Sequence, residues 1–72
     1  MKYYVAYERA DDGLWGAYPP DLLGVGVGGY ATREEARESI RIAIDMHLEA
    51  MRRDGDPIPE PNGAYGEFIE VV

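Results

Sequence analysis

Residues 2–9 and 14–18 are largely apolar segments rich in aromatic side chains, and the polar Asp11-Asp12 separates them. Residues 2–9 (KYYVAYER) place Tyr3, Val5 and Tyr7 on one face, and residues 14–18 (LWGAY) continue the same aromatic character. The intervening Asp11-Asp12-Gly13 is a turn signal. The pattern predicts two antiparallel strands joined by a tight turn.

Two further strands and an extended connector are predicted. Pro19 and Pro20 stop the second strand, and the glycine-rich residues 24–31 indicate a third strand with a bulge or bend. Residues 56–61 contain three prolines and predict a stiff connector. Residues 65–72 (YGEFIEVV) are predicted to form a last strand.

Between these segments lies the clearest signal in the chain, an amphipathic helix from Thr32 to about Arg53. Thr32 and Glu35 form a capping box, and Gly55 is a natural C-terminal stop. Ile42 and Met46 lie off the centre of the apolar stripe, which favours a wide apolar face or a contact with another chain. The stripe itself comprises Ala36, Ile40, Ala43, Ile44, His47, Leu48 and Met51.

The element order β-β-β-α-β predicts an α+β fold, an antiparallel sheet with one helix packed on one face, in a single domain over residues 1–72. One helix covers only one side of the sheet, so aromatic side chains on the other side are candidates for an interface. Scattered exposed tyrosines without a role are the alternative. The candidate interface residues are Tyr4, Trp15, Tyr18, Ile42 and Met46.

Composition narrows the possible partners. Fourteen acidic residues against seven basic ones give a net charge of −7, which disfavours direct nucleic-acid binding. Among protein partners the charge favours a basic one, but on charge alone solubility is the preferred interpretation. The chain has no cysteine, so disulfides cannot reinforce its small core, and we expect a homo-oligomer, a dimer or larger. No membrane-spanning run and no signal peptide are recognised, which predicts a cytoplasmic protein.

Gly24-Val25-Gly26-Val27-Gly28-Gly29 fits the G-x-G-x-x-G pattern of dinucleotide-binding loops. That loop requires a preceding buried strand and a helix that begins at its last glycine. Here two prolines precede it and the helix cap follows three residues later. We therefore expect a bulged strand and no bound nucleotide.

No catalytic constellation is evident. The only serine, Ser39, and the only histidine, His47, fall within the predicted helix, and a lone histidine makes a zinc site improbable. We expect no enzymatic activity, metal or cofactor. The competing hypothesis is a residual Mg²⁺-dependent nuclease that uses Glu8, Asp11, Asp12 or Asp21.

Nearly the whole chain resembles the HicB-like antitoxin family. The resemblance is carried by the N-terminal "MKYYVAYERADDGLWGAYPPDLLG" and the helix "TREEARESIRIAIDMHLEAM", followed by "DGDPIPEP". Its specific positions, which we read as structural, are Pro20, Asp21, Leu22, Gly24, Thr32, Glu35, Gly55 and Pro57.

The resemblance implies a partly degraded ribonuclease-H-like or double-stranded-RNA-binding-domain-like fold without an intact active site. It also implies that the chain binds and neutralises a HicA-like toxin, a small basic ribonuclease that cleaves mRNA. Two departures matter: Leu23-Gly24-Val25 stands where Pro-Gly-Cys is usual, and the chain stops at Val72 without the family's C-terminal DNA-binding domain. The alternative is a stand-alone homo-oligomeric module with a different partner.

Overall fold

The N-terminal hairpin forms as predicted in the computed structural model of the chain, which describes residues 1–72. Strand β1 (Ala6–Arg9) pairs antiparallel with β2 (Trp15–Tyr18), and Ala6 lies opposite Tyr18. In the turn, the Asp12 carboxylate accepts a hydrogen bond from the backbone N–H of Leu14 at 2.9 Å. An acidic side chain thus closes the turn that the sequence predicts.

Strand β3 (Val27–Tyr30) pairs antiparallel with β2, so the sheet order is β1-β2-β3. Trp15 lies opposite Tyr30 and Ala17 opposite Val27, which leaves one extra residue in β3. Gly29 lies inside this irregular stretch with φ of 84°, a conformation that side chains with a Cβ rarely adopt. The predicted bulge in the glycine-rich segment is confirmed.

Helix α1 (Arg33–Asp54) begins at the predicted cap. The backbone N–H of Glu35 donates to the Thr32 hydroxyl oxygen at 3.1 Å. The Thr32 hydroxyl in turn donates to the Glu35 carboxylate at 3.0 Å. The threonine half of the capping box is present, whereas the carboxylate binds the threonine side chain and not its backbone N–H.

The helix ends in a Schellman motif at Gly55, which has φ of 74°. The N–H of Gly55 donates to the carbonyl of Arg52, and the N–H of Asp56 to that of Met51. These bonds occupy carbonyls that the end of a helix would otherwise leave without partners.

A small core holds α1 against the sheet. Ala17 from β2 packs with Ala36 and Ile40 from α1, and half-buried apolar side chains from all three strands surround them. The helix lies over β2 and β3, and it makes little contact with β1. Leu22 and Leu48 are also buried.

The prediction of a last strand over residues 65–72 is wrong, because this strand does not form within the single chain. Residues 65–72 take part in no backbone–backbone hydrogen bond, and Phe68 is fully exposed. A strand needs a partner edge to satisfy its N–H and C=O groups, and residues 65–72 are not hydrogen-bonded to either edge of the sheet, although Gly66 lies against the side chain of Tyr4. The observed order is β-β-β-α, so the α+β class stands without the fourth strand. We call residues 65–72 the C-terminal arm.

No helix of the chain combines the length and the apolar character that crossing a bilayer requires.

Candidate interaction surface

The sheet face opposite the helix presents two of the predicted aromatic residues. Tyr18 follows the buried Ala17 in β2 and is 40% exposed. Tyr4 precedes β1 and is 38% exposed. Because side chains alternate along a strand, Tyr4 and Tyr18 share the face that α1 does not cover.

Trp15 occupies a different environment from the other interface candidates. It packs against the core cluster on the helix side of the sheet. The guanidinium of Arg9 lies 5.4 Å from its ring centroid, within the range of a cation–π contact. The structure therefore places Trp15 apart from Tyr4 and Tyr18, in a mainly packing role.

The exposed side of α1 carries the remaining candidates. Ile42 is 45% exposed and Met46 is 66% exposed. They are four residues apart, so they are neighbours on one helix surface. Glu35 and Glu49 lie seven residues on either side of Ile42, two turns away on the same face. We call Ile42, Met46, Glu35 and Glu49 the helix patch.

The charges next to the helix patch are only partly compensated. Arg41 makes ion pairs with Glu38 at 2.7 Å and Asp45 at 3.1 Å. The hydrogen bond and the charge of Arg41 lower the pKa of Glu38, and Glu38 raises the pKa of Arg41 in return. Apart from Glu38, Asp45 and Asp54, none of the fourteen acidic side chains lies within ion-pair distance of a basic one. The surface therefore carries negative charge that a cationic partner could neutralise.

The Pro19–Leu22 segment forms a turn after β2. Leu22 is buried and its N–H donates to the carbonyl of Pro19 at 3.1 Å. The Asp21 carboxylate accepts from the backbone N–H of Asn62 at 3.0 Å. Asp21 thus ties the end of the proline connector to the sheet, whereas Pro20 is exposed.

The glycine run has none of the geometry of a nucleotide loop. Gly24 lies in the exposed loop before β3, and the run continues into that strand and not into a helix. The pattern requires a helix N-terminus at its last glycine to bind phosphate, and α1 begins only at Arg33. Pro57 lies exposed in the connector after α1.

Of the residues considered for catalysis, Glu8 and Asp12 line one pocket beside the hairpin, and the others lie outside it. The Ser39 hydroxyl lies 2.7 Å from the Tyr30 hydroxyl, in a hydrogen bond that joins α1 to β3. Asp12 binds the hairpin turn and Asp21 binds Asn62. No group of three or more His, Cys, Asp or Glu side chains is arranged to hold a metal ion.

The C-terminal arm is an exposed apolar surface that the sequence did not predict, because residues 65–72 were expected to form a strand of the sheet. The C-terminal arm presents more large apolar side chains to solvent than any other segment of similar length. The only sequence signal for this was the proline connector, which separates the arm from the helix. The exposed residues of the arm are Tyr65, Phe68, Ile69, Val71 and Val72.

Comparison with protein-family models, with curated proteins and with solved structures finds no match to this chain.

Proposed function

We propose that this protein is a binding module of the HicB-like antitoxin type, which neutralises a small basic mRNA-cleaving toxin by direct contact. The observation that carries the proposal is the helix patch. Ile42 and Met46 form an exposed apolar centre, and the carboxylates of Glu35 and Glu49 lie on the same face without ion-pair partners.

This combination suits a basic partner for two physical reasons. Exposed apolar side chains at the centre of an interface contribute most of its binding free energy when they become buried. Uncompensated carboxylates steer a cationic partner toward the surface and raise its association rate. A ribonuclease must present positive charge to the phosphates of its RNA. A negatively charged protein bound there excludes the RNA.

The experiment begins with the full chain as bait in native lysate and continues with any small basic protein recovered. That protein is purified and its cleavage of mRNA is measured as this chain is added. We expect cleavage to stop near one equivalent of the chain. A recovered protein without ribonuclease activity, or activity that the chain leaves unchanged, contradicts the antitoxin function. The stand-alone oligomeric module would then be the better hypothesis.

A charge substitution within the helix patch locates the contact. Met46→Lys should weaken toxin binding by roughly tenfold or more, because it places a cation where a basic partner docks. Leu23→Lys is the matched control, since Leu23 is an exposed apolar residue in the loop before β3. Equal binding by the two variants would show that the toxin contacts another surface.

A further inference from the structure

We propose that two copies of this chain exchange their C-terminal arms, each arm adding as a strand to the free edge of β1 in the other copy. This does not depend on the proposed antitoxin function. It concerns a surface on the opposite side of α1 from the helix patch.

The arm has the properties of a strand without a partner. Residues 63–72 form no backbone–backbone hydrogen bond within the chain. Phe68, Ile69 and Val71 are apolar residues of high strand propensity, and each exposes most of its surface. Unpaired backbone groups next to exposed apolar side chains are the features that promote pairing with another sheet edge.

The free edge of β1 offers a matching site. β1 pairs with β2 on one side only, so its other edge has unpaired backbone groups. Because α1 lies over β2 and β3, a groove of about 360 Å³ remains open between β1 and the helix. Apolar side chains line most of it: Met1, Tyr3, Val5, Tyr7, Ile40 and Ile44. A strand added at this edge would place alternate side chains in the groove.

The other edge of the sheet is a poorer acceptor. β3 contains the bulge and the adjacent Gly28 and Gly29, which interrupt a regular ladder. Charge also favours β1. Arg37 lines the groove beside β1 and forms no ion pair within the chain, and the arm carries Glu67 and Glu70. An arm in the groove brings a carboxylate toward this arginine.

The contacts of the connector hold the beginning of the arm near the free edge of β1. The Tyr3 hydroxyl donates to the carbonyl of Pro59, and Asp21 accepts from Asn62, so the connector is held at the start of β1. Gly66 of the arm lies against the Tyr4 hydroxyl, and beyond it Phe68 and Ile69 are exposed to solvent. The chain measures 46 Å along its longest axis, and its radius of gyration of 13.6 Å exceeds the roughly 11 Å expected for a compact chain of this length. An extended arm beside an open groove is the arrangement that reciprocal exchange uses.

Light scattering of the full chain at micromolar concentration tests the exchange. We expect the mass of a dimer. The double variant Ile69→Asp/Val71→Asp should be monomeric or dissociate at a concentration at least tenfold higher, with its helical circular dichroism retained. Leu23→Asp, which adds a carboxylate outside the arm, should remain dimeric. A monomeric wild-type chain, or a dimer that survives the double variant, overturns the proposal.

Cross-linking distinguishes exchange from a fold-back within one chain. The chain has no cysteine, so a thiol can be placed at will. Chains carrying Glu8→Cys on β1 are mixed with chains carrying Glu70→Cys on the arm and treated with a short bismaleimide. Exchange predicts efficient joining of the two different chains, with Glu60→Cys as the poorly joined control. A chain that carries both Glu8→Cys and Glu70→Cys tests the fold-back. If cross-links form only within this chain as a monomer, the arm pairs with its own β1 and the exchange is excluded.

Discussion

Individual residues fix the points at which elements of this fold begin, end and attach. Gly55 ends α1 in the left-handed conformation, and Asp21 ties a segment forty-one positions later to the turn after β2. Neither feature buries apolar surface. Both fix the path of the backbone after α1, and this path determines the positions of the connector and the arm.

Gly55→Ala should lower the free energy of unfolding by about 1 kcal/mol, because alanine is strained at a φ of 74°. Urea denaturation followed by circular dichroism measures the change. Gly28→Ala is the matched control, since Gly28 has open space around it and a negative φ, and it should have a smaller effect. An equal loss for both variants would contradict the role of the αL cap.

Asp21→Ala should destabilise the fold by about 1 kcal/mol, because the backbone N–H of Asn62 loses its acceptor. Asp21→Asn keeps an oxygen at the same position and should recover much of the stability. Urea midpoints of the two variants give the comparison. Unchanged stability of Asp21→Ala would mean that the connector is held elsewhere.

At the scale of elements, α1 combines local signals with an asymmetric position on the sheet. Its cap, its acidic first turn and its basic last turn agree with its direction. Its apolar stripe turns toward β2 and β3, and its exposed side carries both the helix patch and an ion-paired row of charges. One helix thus separates the groove beside β1 from the surface proposed for the toxin.

Thr32→Ala should cost about 1 kcal/mol of stability, because the backbone N–H of Glu35 then lacks its capping oxygen. Thr32→Ser retains a hydroxyl and should remain close to wild type. Thermal denaturation of the three proteins tests this. A serine variant as unstable as the alanine variant would indicate that the threonine methyl group, and not the cap, is responsible.

The Glu38–Arg41 pair should be visible in an acid titration. Because Arg41 lowers the pKa of Glu38, Arg41→Gln should raise that pKa toward its usual range, and Arg37→Gln should raise it less. The pKa of Glu38 is lower in the folded chain than in the unfolded chain. The pair with Arg41 therefore stabilises the fold at pH values above the unfolded-state pKa of Glu38, and this stabilisation is lost as pH falls through the folded-state pKa. Carboxyl NMR titrations measure the values. A Glu38 pKa that is unaffected by Arg41→Gln would refute the pairing in solution.

At the scale of the whole molecule, charge and exposed apolar surface are distributed over separate regions. The sheet face carries Tyr4 and Tyr18, the helix patch carries Ile42 and Met46, and the arm carries five large apolar residues that are each more than 70% exposed. Only six of the seventy-two residues are buried, so the chain has a small core, and burial of these regions in an interface would add to its buried apolar area.

Binding of the proposed basic toxin should weaken as ionic strength rises, because the net charge of −7 would accelerate encounter with a cationic partner and salt would screen that attraction. Stopped-flow association rates at low and high salt measure this. Met46→Lys should also speed dissociation, since Met46 lies at the apolar centre of the helix patch. Association rates that do not respond to salt would exclude electrostatic steering.

The sequence by itself determined the features that depend on neighbouring residues. Thr32 and Gly55 mark the two ends of the helix through local hydrogen bonds. Asp12 closes the hairpin turn, and the glycines of β3 permit its bulge. Tertiary structure alone decided the rest. That Asp21 binds Asn62, that Trp15 lies on the helix side, and that the arm leaves the sheet all depend on contacts between distant segments. Residues 65–72 have the composition of a strand, but composition cannot specify the edge with which a strand pairs, because pairing requires a partner backbone positioned by the rest of the fold.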